Sequence, residues 1–327
     1  FMVHASPSLP EPRPELDGTA AAAWITRLPQ PLPPLQAPVE GGPAPLAGLR
    51  FAVKDNIDVA SLPTTAACPA FGHVATEDAG VVQRLRRAGA LVAGKTNLDQ
   101  FACGLNGTRS PYGAVPNAFD PACVSGGSSS GSAFAVATGE VDFALGTDTA
   151  GSGRVPAGLN NIVGLKPSRG LVSAHGVVPA AQSVDCVSIF ARTVELAARV
   201  LCAAMGPDPR DPYSRELTLA PAHWPASFRF GVPSLRAFFG DTQAEAAFDL
   251  AIERLQALGG TPVEIDYTPL AEAAALLYDS ALVAERYAAV RPFFDAHEAA
   301  VIEPVRTILA QGRAYDAAQH VEAQTRL

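Results

Sequence analysis

The sequence predicts an α/β domain: a mixed central β-sheet covered by helices on both faces. Three observations carry this. Apolar residues make up 48% of the 327-residue chain and charged residues 17%, enough for a substantial core. From Arg50 onward, short apolar runs alternate with stretches of helical period. From Leu270 to the end almost everything has helical character.

Taken in order, residues 1–50 are rich in proline and read as an arm that packs on the core, with one helical stretch, TAAAAWITRL (19–28). The domain proper spans 51–327. RFAVKD is a predicted strand, DAGVVQRLRRAGA (78–90) an amphipathic helix and ALVAGK (90–95) a second strand. NLDQFACGL is expected to open a short helix with Asn97 as its N-cap, because a carboxamide there can accept from the first free amides. GSAFAVATGE reads as a helix, VDFALGTD (141–148) as a buried strand and IVGLKPS (162–168) as another strand. After the proline-rich GPDPRDPYS come a strand at FRFGVPS (228–234), an amphipathic helix over 242–258 ended by Gly259-Gly260, and a strand at TPVEIDY. The chain stops at HVEAQTRL in mid-pattern, which is expected of a domain cut short at its C-terminal end.

Composition removes several classes of function. A net charge of −8 argues against a nucleic-acid surface built from bulk charge. No apolar run reaches the length of a membrane span. Five scattered cysteines contain no CxxC pair, and six histidines form no HExxH cluster. Neither a disulfide framework nor a metal site is expected, and a reduced, cytoplasmic setting is the simpler reading. The 24 basic residues include only three lysines, Lys54, Lys95 and Lys166, each in an apolar or glycine-rich setting. A codon bias toward arginine would explain this. So would a task that needs an amine able to lose its proton when desolvated, which arginine cannot do.

GALVAGKT (89–96) satisfies the spacing of a phosphate-binding loop. Its four intervening residues, Ala90 to Ala93, are strand-like, however, so the backbone should be extended where it would have to curl around phosphate. Lys95 is better read as a structural or site-lining lysine at a strand end. GTDTAGSGR (146–154) is more informative, because it follows a buried strand and precedes a helical turn. A serine at such a corner, here Ser152, stands among convergent backbone N–H groups able to hold an oxyanion. Taken alone, a water-facing glycine turn is the better explanation. A serine nucleophile needs a proton acceptor. His175 is one candidate and Lys54, in its apolar strand, is another. Asp55 and Asp58 beside Lys54 would raise its pKa, so a relaying hydroxyl would help, and the serines of GGSSSGS (126–132) could supply it. The same stretch could equally be a flexible linker.

These blocks together resemble the amidase signature family of serine hydrolases. GGSSSGS with the following helix and GTDTAGSGRVPA look like the family's signature, and AVKDNIDV, GKTNLDQFA and GLKPSRG are similar to further blocks. The resemblance is dense over residues 45–200. It implies the amidase signature fold and a Ser–cis-Ser–Lys triad. Ser152 is the implied nucleophile, Ser128, after a cis peptide bond, the relay, and Lys54 the base. The implied oxyanion hole uses the backbone amides of Thr149, Ala150, Gly151 and Ser152. Asp148 and Arg154 are implied to pair and brace the loop. No cofactor is implied.

RFAVKDNIDVASLPTTAACPAF, TNLDQFACGLNGTRSPYG and SVDCVSIF are most similar to the family's allophanate-hydrolysing branch. That branch implies a small anionic amide as substrate, with ammonia as a product. It also implies a tyrosine and an arginine eight residues apart as the substrate's grip. Tyr278 and Arg286 have that spacing and, on one helix, would share roughly one face. Arg109 is a less favoured alternative cation. The branch usually continues with more of this fold and a separate C-terminal domain, which this chain is expected to lack. Another small urea- or biuret-derived carboxylate, or a role as an amidotransferase-like component of a complex, remain open alternatives. A homodimer is compatible with the reading.

Overall fold

The structure, a computed structural model, describes residues 20–35, 44–219 and 225–327. Its elements in chain order begin with β1 (Trp24–Leu32), β2 (Arg50–Lys54), β3 (Pro63–Thr64), β4 (His73–Val74), α1 (Gly80–Arg87) and β5 (Leu91–Thr96). Then come α2 (Ser130–Ala137), β6 (Phe143–Thr147), α3 (Arg154–Leu159), β7 (Val163–Leu165), β8 (Val187–Ala191) and α4 (Val194–Ala204). The last part holds β9 (Phe228–Pro233), α5 (Thr242–Ala257), β10 (Gly260–Ile265), α6 (Thr268–Asp279), α7 (Val283–His297), α8 (Val305–Gln311) and α9 (Ala317–Arg326).

The main sheet has the order β1-β5-β2-β6-β8-β7. β2 pairs in parallel with β5 and β6, while β1, β7 and β8 pair antiparallel, so the sheet is mixed as expected. Side-chain alternation along the strands then sorts the core into two layers. Phe51, Val53, Phe143, Leu145 and Ile189 face α1 and α4, and the Phe51 and Phe143 rings stack at 5.0 Å. Ala52, Ala144 and Phe190 face α2. Every residue of α2 is buried, because small side chains let this helix lie close on the sheet.

Two expectations change. The 19–28 helix is, from Ala20 onward, a single 3-10 turn (Ala20–Ala23) followed by strand β1, and residue 19 lies outside the described residues. Four alanines close one turn. Trp24, Ile25 and Thr26 then favour extended backbone, and the edge of β5 offers unpaired N–H and C=O groups. The described part of the arm is therefore a 3-10 turn, an edge strand and a turn at 45–48 whose Leu46 is buried in the core, while residues 1–19 and 36–43 lie outside the described residues. NLDQFACGL forms only a 3-10 turn, Gln100–Ala102, with Phe101 and Ala102 at positive φ. Asn97 does not cap it. Its Oδ1 accepts from Leu98 N–H and the Ser110 hydroxyl, and its Nδ2 donates to the carbonyls of Ala22 and Gly113. GALVAGKT contains strand β5, paired on both sides, so its backbone is committed to the sheet and cannot cradle phosphate. Strand β8 and helix α4 carried no signal in the sequence reading. β8 is buried at every position, which erases the polar-apolar alternation that marks a half-exposed strand.

β9 and β10 form a separate parallel pair, with α5 exposed beside them. Helices α7 and α8 pack on Phe101 and Cys103 in a third apolar cluster, and α6 packs with Ala150 of the turn after β6 in a fourth. Among the described residues, no helix is long and apolar enough to cross a membrane.

Candidate active site

Lys54 ends β2, and its side chain is 0% exposed. Its Nζ lies 2.7 Å from Ser128 Oγ and 2.7 Å from Thr147 Oγ1 at the end of the adjacent strand β6. Burial pushes the amine's pKa down to about 7, against the pull of Asp99, Asp185 and Asp148, with Arg286 lowering it further.

GGSSSGS is the ordered loop that leads into α2. The Gly127-Ser128 peptide bond is cis. Gly126 has φ +75°, and a Cβ on Gly127 would collide with the Asp99 carboxylate and the Gly107 amide, so neither position tolerates a side chain. Its hydroxyls fasten the helix to the sheet. Ser129 Oγ donates to Thr147 O at 3.1 Å and accepts from Thr147 N–H at 3.3 Å. Ser132 Oγ donates to Leu145 O at 2.9 Å and bonds Thr96 Oγ1 at 2.7 Å. The Ser130 hydroxyl is buried without a partner among the described residues.

Ser152 is 4% exposed in the turn between β6 and α3. Its carbonyl accepts from Ser129 N–H at 3.3 Å, which ties the two loops together. Within that turn the Asp148 carboxylate is the anchor. It accepts from the amides of Gly151, Gly153 and Arg154, from Arg154 Nε and Nη2 at 2.9 and 3.1 Å, and from Lys166 Nζ at 3.3 Å. Burial alone would raise its pKa, but Arg154, Lys166 and the Gly151 amide together hold it well below the usual carboxylate range. This alters the expected oxyanion hole. The Gly151 amide is spent on Asp148 at 2.7 Å. The amides of Thr149, Ala150 and Ser152 have no acceptor among the described residues and are free to receive one. The Thr149 hydroxyl donates to Asp185 Oδ1 at 2.5 Å, and Asp185 also accepts from the amides of Ala180 and Ala181. Burial pushes the Asp185 carboxyl up, opposed by the Thr149 hydroxyl, those two amides and Arg286.

Tyr278 and Arg286 meet, but not on one helix. Ser280 adopts extended backbone and separates α6 from α7, so Tyr278 ends the first helix and Arg286 lies in the second. The Arg286 guanidinium carbon sits 4.7 Å from the Tyr278 ring centroid. Arg286 is 3% exposed, and its Nε and Nη1 have no partner among the described residues. A buried cation with two unpaired donor nitrogens is chemically able to hold an anion. Arg109, the alternative cation, lies near Tyr278 and donates from Nη1 to Cys103 O at 3.0 Å. His175 contacts Glu77 instead of any serine of the site. Lys95 is fully buried against Asp55 at 3.1 Å, with Thr64 Oγ1 and Pro63 O completing its shell. Thr147 and Asp185 escaped the sequence reading as site residues, and the scarcity of lysine singled out Lys166 without giving it a place. Nothing local marks Asp185, which reaches the site through the turn it caps.

A mixed sheet with helices on both faces, and a buried lysine amine joined to a serine hydroxyl beside unpaired backbone amides, define an α/β protein with a buried lysine–serine pair at the ends of its strands. The chain belongs to the amidase family, whose model, described as Amidase, matches residues 35–326. It is 52% identical over 254 residues to urea amidolyase from Saccharomyces cerevisiae, covering 77% of this chain and 14% of that protein. It is 44% identical over 254 residues to a glutamyl-tRNA(Gln) amidotransferase component from Symbiobacterium thermophilum, covering 74% of this chain and 51% of that polypeptide. Among solved structures, allophanate hydrolase from Kluyveromyces lactis superposes with a TM-score of 0.88 at 44% identity, covering 93% of this chain and 51% of the other. The chain thus spans about half the length of that hydrolase and far less of the urea amidolyase.

Proposed function

We propose that the chain is a serine amidohydrolase that acts on allophanate. The observation that carries this reading is Arg286, whose unpaired Nε and Nη1 wait in a buried site close enough to Lys54 to perturb it. A small amide bearing a carboxylate fits that arrangement, since the carboxylate can take the guanidinium and leave the carbonyl near the serines. The likeness to an allophanate hydrolase and a urea amidolyase points the same way.

In this reading the neutral Lys54 amine takes a proton from Ser128, which takes one from Ser152. The Ser152 oxygen attacks the carbonyl, and the amides of Thr149, Ala150 and Ser152 receive the developing oxyanion. The proton returns along the same hydroxyls to the departing nitrogen, ammonia leaves, and water releases the acyl group. The chain works in the cytoplasm, in keeping with five cysteines that are all free.

The test is ammonia release from allophanate, measured beside malonamate and biuret. Turnover is expected with allophanate and is expected to vanish in Ser152→Ala; retained turnover in that variant sinks the assignment. The likeness to the amidotransferase component favours a second reading, a polypeptide that works only within a complex. Ammonia release by the purified chain alone excludes it.

A further inference from the structure

We infer that Thr147 is a positioning residue for Lys54: its hydroxyl holds one N–H of the amine so that the nitrogen lone pair is left facing Ser128. This rests on the reading of Lys54 as the proton acceptor.

A neutral amine has two N–H bonds and one lone pair in tetrahedral directions. It can take a proton from Ser128 only if the lone pair faces that oxygen. The described residues offer Nζ two partners, Ser128 Oγ and Thr147 Oγ1, both at 2.7 Å. Thr147 Oγ1 is placed as an acceptor, since Asn56 Nδ2 also points at it, at 3.5 Å. An N–H committed to Thr147 leaves the lone pair and the remaining N–H for the Ser128 side. Thr147 is itself held firmly, because Ser129 Oγ bonds both its N–H and its C=O. The serine after the relay thus aims the lysine that the relay serves, which accounts for two adjacent hydroxyls in GGSSSGS.

The charged groups around Lys54 are Asp99 before its loop, Asp148 after β6, Asp185 after the Ala180 turn and Arg286 on α7. None of them changes in a Thr147 variant. An acceptor oxygen stabilises the ammonium more than the amine, so its removal lowers the pKa of Lys54. Thr147→Val is expected to cut kcat about tenfold to a hundredfold with KM unchanged, as for a misaimed base. The acid limb of its pH–rate profile moves to lower pH, a combination that loosened packing would not produce. Thr147→Ser is expected to restore both.

A second measurement keeps this separate from the identity of the base. The chain has three lysines, so NMR of the ε-13C-lysine-labelled protein can follow the Lys54 titration without turnover. A lowered midpoint in Thr147→Val, back to normal in Thr147→Ser, supports the inference. An unmoved midpoint and unchanged kcat, in a variant that melts like the wild type, overturn it. Wild-type turnover in Lys54→Ala overturns the base assignment instead, and shows itself whatever the midpoint does.

Discussion

Lys54 owes its chemistry to burial. An exposed lysine would hold its proton at neutral pH; with its side chain sealed between β2 and β6, its pKa is brought down to about 7. Activity that needs the free amine is present above that value and lost as pH falls through it. A kcat/KM profile with an acid limb near pH 7, absent from Lys54→Ala, is the expected result. Arg286 makes a complementary prediction. Arg286→Gln removes the cation and keeps the bulk, so KM for allophanate should rise about tenfold to a hundredfold, since a hydrogen bond between charged groups contributes roughly 1.5–3 kcal/mol. A neutral amide substrate should lose little in the same variant. The sequence pointed to both residues through its resemblance to amidase signature enzymes. What was not legible was that Nε and Nη1 of Arg286 are unpaired, because that depends on what every neighbouring segment fails to supply.

At the scale of elements, the turn between β6 and α3 is organised by one carboxylate. Three amides, one guanidinium and one amine converge on Asp148, and its side chain is fully buried. Asp148→Ala leaves those amides unpaired inside the protein. A stability loss of about 3–5 kcal/mol is expected by denaturant titration, together with a fall in kcat as the amides of Thr149, Ala150 and Ser152 lose their alignment. The resemblance implied that Asp148 pairs with Arg154, and the two do meet across the turn. The sequence reading left Lys166 without a place because β7 carries that residue back to the turn from outside the local sequence. It also placed Tyr278 and Arg286 on one helix, since periodicity alone hides the break at Ser280, whose hydroxyl turns back to Leu276 O.

Across the whole molecule, stability and chemistry are separable because they sit in different layers. The Phe51–Phe143 stack lies on the sheet face toward α1 and α4, away from α2 and the loop that leads into it. Phe143→Ala should therefore cost about 3–5 kcal/mol of stability, read from thermal or denaturant unfolding, with little change in turnover per folded molecule. Loss of activity without loss of stability would show that the two layers are coupled. The unit of β9, α5 and β10 buries little of its surface, and α5 has no buried residue.

The sequence by itself determined the α/β class and strands β2 and β6, and through its resemblance to amidase signature enzymes it named candidate residues for the site. Apolar period and glycine placement are visible within short windows, and the scarcity of lysine in the composition of the whole chain. Only the tertiary structure decided that the proline-rich arm contains an edge strand and that the Gly151 amide belongs to Asp148. It also decided that Lys54 faces two hydroxyls, one of them on the neighbouring strand. The physical reason is the same in each case. A hydrogen-bonding group takes whichever partner the fold brings within about 3 Å, and partners more than a few residues away in sequence are known only once the chain has packed.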